Sequence, residues 1–385
     1  MKRLFILGDL LFTNSEQHLI EKKDYTSLLG GELEALLLDK DNHFVINLEG
    51  PITDSGVTQR KGGSPNLKSN YSVIDFINLF PNLLVSGANN HITDYGLKGI
   101  NDTKQALESS NIPFIGFGSN LEELKKIHYE TIEGNRICYL SIAQNEFCTM
   151  DSFEKYYGAT PYDALDSFDT IKEAKSKADY LIVLFHSGKE NYRYPTPDQT
   201  RICRKMVDAG ADLIVCQHSH CVGCKEIYKK STIVYGTGNF IFNISDNVLW
   251  KTSIVPCLTI TGSGVLEITF IPLEKTSTGI AVAKGDQADK ILFDFNTRTK
   301  EIESPGFIKR TWEQYCEDNK YVILWNAFFR YPRIVYIIDR ITGRLISKRL
   351  LRNWKKTLTT YNYIRCEAIN EMCRTIFESN EKHND

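Results

Sequence analysis

No run of about 18 uninterrupted apolar residues occurs anywhere in the 385 residues, so the sequence offers no segment suited to span a bilayer as a helix. Charge of one sign is also missing. Lys and Arg number 46 against 48 Asp and Glu, and the net charge of −2 excludes a molecule that binds nucleic acid through its overall field. The ten cysteines lack the spacing of a disulfide framework, which fits reduced thiols in a cytosolic protein. Cys221-x-x-Cys224 has no second cysteine pair at zinc-ribbon distance; it reads as two ordinary thiols, with a redox pair or half of a zinc site as alternatives. Internal repeats and low-complexity tracts are absent. The N-terminal MKRLFILGDLLFTN imitates a signal peptide, but Asp9 breaks its apolar run and no small-residue cleavage site follows.

What is present is a globular composition, 42% apolar and 24% charged, in a chain long enough for more than one unit. Short apolar runs alternate with helical periodicity. Leu4–Leu7, Phe44–Leu48, Leu83–Ser86, Tyr180–Phe185, Leu213–Cys216 and Thr232–Tyr235 read as buried strands. Residues 97–110, 163–178 and 196–209 read as helices. Thr131–Ile142 reads as a hairpin turning at Glu133-Gly134-Asn135. Strand, polar tip and helix in repetition indicate an α/β core with β-sheet additions. Residues 1–275 form the expected main domain, 276–308 a connecting segment and 309–385 a basic helical extension.

The tips carry the chemistry. Five apolar runs end in potential metal ligands: Asp9, Glu49, Asn90-His91, His186 with Glu190, and His218-x-His220. One such ending is ordinary turn or cap chemistry. Five in succession, all with oxygen or imidazole donors, point to divalent cations such as Zn, Mn or Fe at the C-terminal edge of the sheet, where open α/β folds bind ligands.

In order and spacing, Gly8-Asp9, Asn47-Leu48-Glu49, Ala88-Asn89-Asn90-His91 with Asp94-x-Gly96, His186-x-Gly188-x-Glu190, His218-x-His220 and Tyr235-x-x-Gly238-Asn239-Phe240 resemble the CapA-like capsule-synthesis or poly-gamma-glutamate biosynthesis family. That family is a branch of the calcineurin-like metallophosphoesterases, and the resemblance covers about residues 4–243. It implies a four-layered α/β/β/α sandwich with a two-metal site. Glu49 would bridge the ions. Asp9 and His220 would hold the first, and Asn90, His186 and His218 the second. His91 would be the general acid, oriented by Asp94, with Glu190 and Asn239 supporting the ligands from behind. One departure stands out: the Asp-x-His of the wider superfamily is Asp9-Leu10-Leu11 here, so the first site lacks an imidazole.

Lys61, Asn66 and Lys68 lie in a polar loop that either holds an anionic substrate or is simply solvated. Tyr192 and Arg193 form either a substrate platform or a packed loop. From 320 to 360, ten Lys or Arg face a single acid, Asp339, among interleaved aromatic and aliphatic residues. This extension either packs an apolar face on the core or lies on an anionic membrane surface. The expected activity is a metal-dependent, phosphoesterase-like hydrolase of capsular polymer synthesis, acting on an anionic small molecule or polymer precursor. The alternative is a non-catalytic, metal-binding assembly factor. No nucleic acid partner is expected, and the expected location is the cytoplasm, at the inner face of the membrane where the tail engages it.

Overall fold

The computed structural model describes residues 1–58, 65–145, 157–324 and 333–352. The chain divides into two compact units, 1–308 and 309–385. In chain order the strands are β1 (Lys2–Leu11), β2 (His43–Leu48), β3 (Leu83–Ser86), β4 (Phe114–Ile115), β5 (Phe117–Gly118), β6 (His128–Ile132), β7 (Asn135–Ala143), β8 (Gly158–Ala159), β9 (Tyr180–His186), β10 (Leu213–Gln217), β11 (Val222–Tyr228), β12 (Ser231–Thr237), β13 (Asn239–Phe242), β14 (Thr252–Thr261), β15 (Gly264–Lys275) and β16 (Ile280–Val282). One large sheet runs β16-β15-β14-β1-β2-β3-β4, with β13 also paired to β1; the second runs β11-β12-β10-β9-β7-β6, and β5 and β8 form a separate two-stranded pair. The central pairs β1–β2, β2–β3, β7–β9 and β9–β10 are parallel.

Side-chain alternation assembles the layers. Leu4, Ile6, Val45 and Leu84 of the first sheet meet Tyr139, Ile182, Leu184, Leu213 and Val215 of the second in one buried cluster. The intervening residues point the other way. Phe5, Leu7, Phe44, Ile46 and Val85 pack on the outer helices, which include α1 (Asn14–Glu21), α2 (Tyr25–Leu29), α3 (Gly31–Leu38), α4 (Ser72–Ile77) and α5 (Gly96–Ser109). Past the short α6 (Leu121–Leu124), Cys138, Leu140, Leu181, Val183 and Ile214 pack on α7 (Ser167–Ser176) and α8 (Pro197–Ala209). These are the layers of an α/β/β/α sandwich. Both faces of the central parallel strands are covered, which is why β2, β3, β9 and β10 read as unbroken apolar runs rather than alternating ones.

Two local details differ from the sequence reading. The sequence from Glu16 to Leu38 reads as helical with a break at Gly30-Gly31; the chain breaks there and once more before α2, where Asp24 accepts from the backbone N–H of Ser27 as an N-cap. Residues 276–308, expected to be a connector, instead carry β16 and α9 (Gly285–Ile302). Ile291 and Phe295 of α9 join the cluster between the sheets, so this segment completes the core. Its sequence signal is weak: Lys284 provides no side-chain cap and a buried arginine, Arg298, interrupts the apolar stripe.

The helix α10 (Phe307–Leu324) leads into the second unit, which also holds α11 (Arg333–Ile341) and α12 (Leu345–Arg352). Gly343, at φ 65°, separates the last two. The single acid of the basic stretch is structural. Buried Asp339 accepts from Ser347 N at 2.9 Å and from Ser347 Oγ, and Arg344 reaches it at 3.4 Å. Trp325, Phe328, Phe329, Tyr331, Pro332 and Trp354 lie outside the described residues. Among the described residues no helix is long and apolar enough to cross a membrane.

Candidate metal centre

Strand parity decides which side chains enter the space between the sheets. In β2, Val45 faces inward, so Asn47 and the following Glu49 do too. In β9, Ile182 and Leu184 face inward, and His186 continues that face. In β10, Leu213, Val215 and Gln217 do the same, and Gln217 Nε2 donates across to Leu7 O at 2.8 Å. Asp9 breaks the pattern. Strict alternation would place it with Phe5 and Leu7, against the outer helices. The β1–β2 register instead slips between Ile6 and Asp9, where β1 has one residue more than its partner. That bulge turns the carboxylate inward. Gly8 sits at the bulge, and a Cβ there would lie 2.1 Å from Gly238 O, so only glycine allows β1 and β13 to approach this closely.

The result is a cluster of donor atoms from both sheets. Asp9, Glu49 and His186 each offer a ligand atom within 4.8 Å of the others. His186 Nε2 is 3.5 Å from Glu49 Oε1 and 2.9 Å from Asn90 Oδ1. His220 Nδ1 is 3.4 Å from Asp9 Oδ2 and 2.8 Å from Asn239 Oδ1. The His218 ring lies between those of His186 and His220, with centroids 4.9 and 6.1 Å away. All six expected ligands are buried. His218 and His220 both have left-handed backbones, with φ of 96° and 55°. Such geometry costs about 1–3 kcal/mol per residue and gathers at functional sites.

Electrostatics fit a cation. Burial, then the neighbouring Asp9 carboxylate, pushes the Glu49 carboxyl well above its ordinary range, with Glu190 a smaller contributor. Burial and the adjacent imidazoles hold His186 and His218 well below the usual histidine range, in the neutral form that ligates metal. Glu49 Oε1 and His186 Nδ1 are buried with no hydrogen-bond partner among the described residues. Two carboxylates beside neutral imidazoles and orphaned donors are what a divalent cation satisfies, and the residues fit one.

Asn47 carries a role the sequence reading missed. Its Nδ2 donates to Asp9 Oδ1 at 2.8 Å and Glu49 Oε2 at 2.7 Å, holding the two carboxylates together. Asn89 holds the next tip in place, donating to Leu48 O at 2.7 Å and accepting from His91 N at 3.1 Å. Parity with Val45 was the available signal for Asn47. His91 Nδ1 is 2.7 Å from Asp94 Oδ2, which also accepts from Leu67 N at 2.6 Å. This fixes the ring orientation and gives the imidazole a carboxylate to support positive charge.

The expected substrate residues spread out. Lys61 lies outside the described residues. Asn66 is half-buried and its Oδ1 has no hydrogen-bond partner among the described residues. Lys68 is tied back, donating to Ser55 O at 2.8 Å with its ammonium over the Tyr95 ring. Tyr192 is buried, 6.0 Å from the Tyr194 ring. The charge of half-buried Arg193 adds to burial in lowering the pKa of Arg298. Cys221 and Cys224 are buried; burial pushes Cys221 up to about 11 and Cys224 further, so both remain protonated thiols.

Among curated proteins the chain is similar to the capsule biosynthesis protein CapA of Bacillus anthracis, 34% identical over 160 residues, 40% of this chain and 39% of that protein. It is 27% identical over 273 residues to the PGA biosynthesis protein CapA of Bacillus subtilis, 70% of this chain and 71% of that protein. The chain thus spans under half of the first relative and about 71% of the second. A crystal structure of 5'-nucleotidase from Candida albicans aligns at TM-score 0.38 and 14% identity, over 83% of this chain and 57% of that one. The family described as bacterial capsule synthesis protein PGA_cap matches residues 3–244, which hold every donor of the centre, and the chain belongs to that family.

Proposed function

We propose that this chain is a metal-dependent hydrolase that cleaves a phosphoester, or a related bond in an anionic polymer precursor, during capsule-type polymer synthesis. The observation that carries this reading is the meeting of Asp9, Glu49 and His186 within 4.8 Å, with the His91–Asp94 pair on an adjacent strand tip. Asp9, Glu49 and His220 would hold one divalent cation, and Glu49, Asn90, His186 and His218 a second. Cations bound there supply Lewis acidity toward water and a phosphoryl oxygen near neutral pH. Asn47 keeps the Asp9 and Glu49 carboxylates aligned. As a water oxygen bonds to phosphorus and the bond to the alcohol oxygen breaks, His91 gives a proton from Nε2 to that departing oxygen, and Asp94 stabilises the ring before transfer. The names of the two Bacillus relatives, a capsule biosynthesis protein and a PGA biosynthesis protein, support a substrate among capsule or PGA precursors.

The test is metal analysis of the purified protein together with turnover of an aryl phosphodiester. His91→Ala should retain its metal and lose about 10²–10⁴-fold in rate. Unchanged turnover in that variant refutes the mechanism. A second reading, a non-catalytic assembly factor, is favoured by the burial of all six ligands. It predicts bound metal with no turnover of any phosphoester offered. In either reading the basic 320–360 stretch is proposed to dock on an anionic membrane surface.

A further inference from the structure

We propose that Asn239 is itself a metal ligand through Oδ1, replacing the imidazole that the first strand lacks. The inference rests on the metal-centre reading above and extends it. The superfamily's histidine position is Leu11, which packs in an apolar cluster with Leu67, Phe242 and Trp250 and offers no donor. Asn239 occupies the gap from the other side. It pairs with Asp9 in the parallel β13–β1 register, so the two side chains stand on neighbouring strands at the same level. The glycine contact of Gly8 with Gly238 brings those strands together.

The distances describe a coordination shell. Asn239 Oδ1, His220 Nδ1 and Asp9 Oδ2 lie in series at 2.8 and 3.4 Å. Adjacent ligand atoms bonded to one cation at about 2.1 Å are separated by roughly 3.0–3.4 Å, so the trio needs little movement to share one. The other half of the centre repeats the pairing, with Asn90 Oδ1 2.9 Å from His186 Nε2. Asn239 is buried, and among the described residues its Nδ2 has no hydrogen-bond partner, so the carboxamide gains no second hydrogen bond from them. Were Asn239 only an acceptor fixing the His220 tautomer, His220 would have to ligate through Nε2; the ring nitrogen turned toward Asp9 is Nδ1. The first site then holds one imidazole among oxygen donors and takes a harder cation, such as Mn²⁺, than the histidine-rich second site.

Loss of affinity alone would not decide the matter, because removing a mere orienting partner also weakens metal binding by about 10–100-fold. The deciding variant is Asn239→Cys, stripped of metal and reloaded with Cd²⁺. The difference spectrum against the wild-type protein should show one new thiolate-to-cadmium charge-transfer band per chain. Asn239→Asp guards against a misfolded cysteine variant; its carboxylate on the cation should tighten the weaker Mn²⁺ site about tenfold in a paramagnetic resonance titration. No new band in a folded Asn239→Cys protein, or no tightening in Asn239→Asp, overturns the assignment while leaving the centre intact. A wild-type protein that takes up no Mn²⁺ or Cd²⁺ at this site overturns the centre and the inference together.

Discussion

Replacing Glu49 with glutamine should make the metal-free protein more stable and remove its response to metal. Glu49 is fully buried beside Asp9. At the 4.8 Å limit of the ligand-atom spacing, two carboxylates repel by roughly 3.5 kcal/mol at an effective dielectric constant of about 20. Protonation is no cheaper an escape: keeping a proton at pH 7 on a carboxyl of ordinary pKa 4.5 costs about 3.4 kcal/mol. The metal-free native state therefore carries a penalty of up to about 3 kcal/mol that Glu49→Gln removes. The Asn47 hydrogen bond survives, since the glutamine oxygen still accepts it. At roughly 2 °C per kcal/mol for a unit of this size, Tm in chelator should rise by about 5 °C. With Mn²⁺ at about a hundredfold over its Kd, the wild-type protein gains about 2.7 kcal/mol and the variant far less. The pH dependence has a definite sign. The folded-state pKa of Glu49 is raised, so the native state holds a proton that the unfolded chain releases above pH 4.5. Stability is lost as pH rises through that window, and the advantage of the variant should grow from near zero at pH 4. Scanning calorimetry in chelator and in Mn²⁺ measures all of this. A variant less stable than wild type in chelator, or equally stabilised by Mn²⁺, refutes the reasoning.

Gly8→Ala should cost about 2–4 kcal/mol and weaken metal binding, because its Cβ would meet the Gly238 carbonyl and separate β1 from β13; urea unfolding and a metal titration check this. Removing residues 309–385 should abolish sedimentation with anionic liposomes at low salt, and equal sedimentation of the truncated and full chains ends the membrane proposal.

How much of the centre could be read in the sequence depended on distance along the chain. The inward placement of Glu49 and His186 was legible because each closes an apolar run whose parity continues into that residue. Asp9 was legible as a candidate, but its inward turn was not. A one-residue bulge has no signature beyond a glycine, and plain alternation would have sent the carboxylate outward. The partnership of Asp9 with Asn239 joins residues 230 positions apart through a strand pairing that no local pattern announces. The left-handed backbones of His218 and His220 were hidden for another reason. Glycine or asparagine usually marks such geometry, and here imidazoles occupy it. The α9 helix was missed because its inward stripe is short and bounded by charge.

Asp9, Glu49 and Asn90 come from one sheet, and His186, His218 and His220 from the other, so any ion they share works as a rivet through the sandwich. Losing it removes a cross-link between the two halves, so the seam should open more readily in chelator than with metal bound. Selection for a durable fold would then preserve these six residues in a descendant that had abandoned hydrolysis. His91 and Asp94 both come from one strand tip and are not among the six; with hydrolysis abandoned, they would be the first to drift.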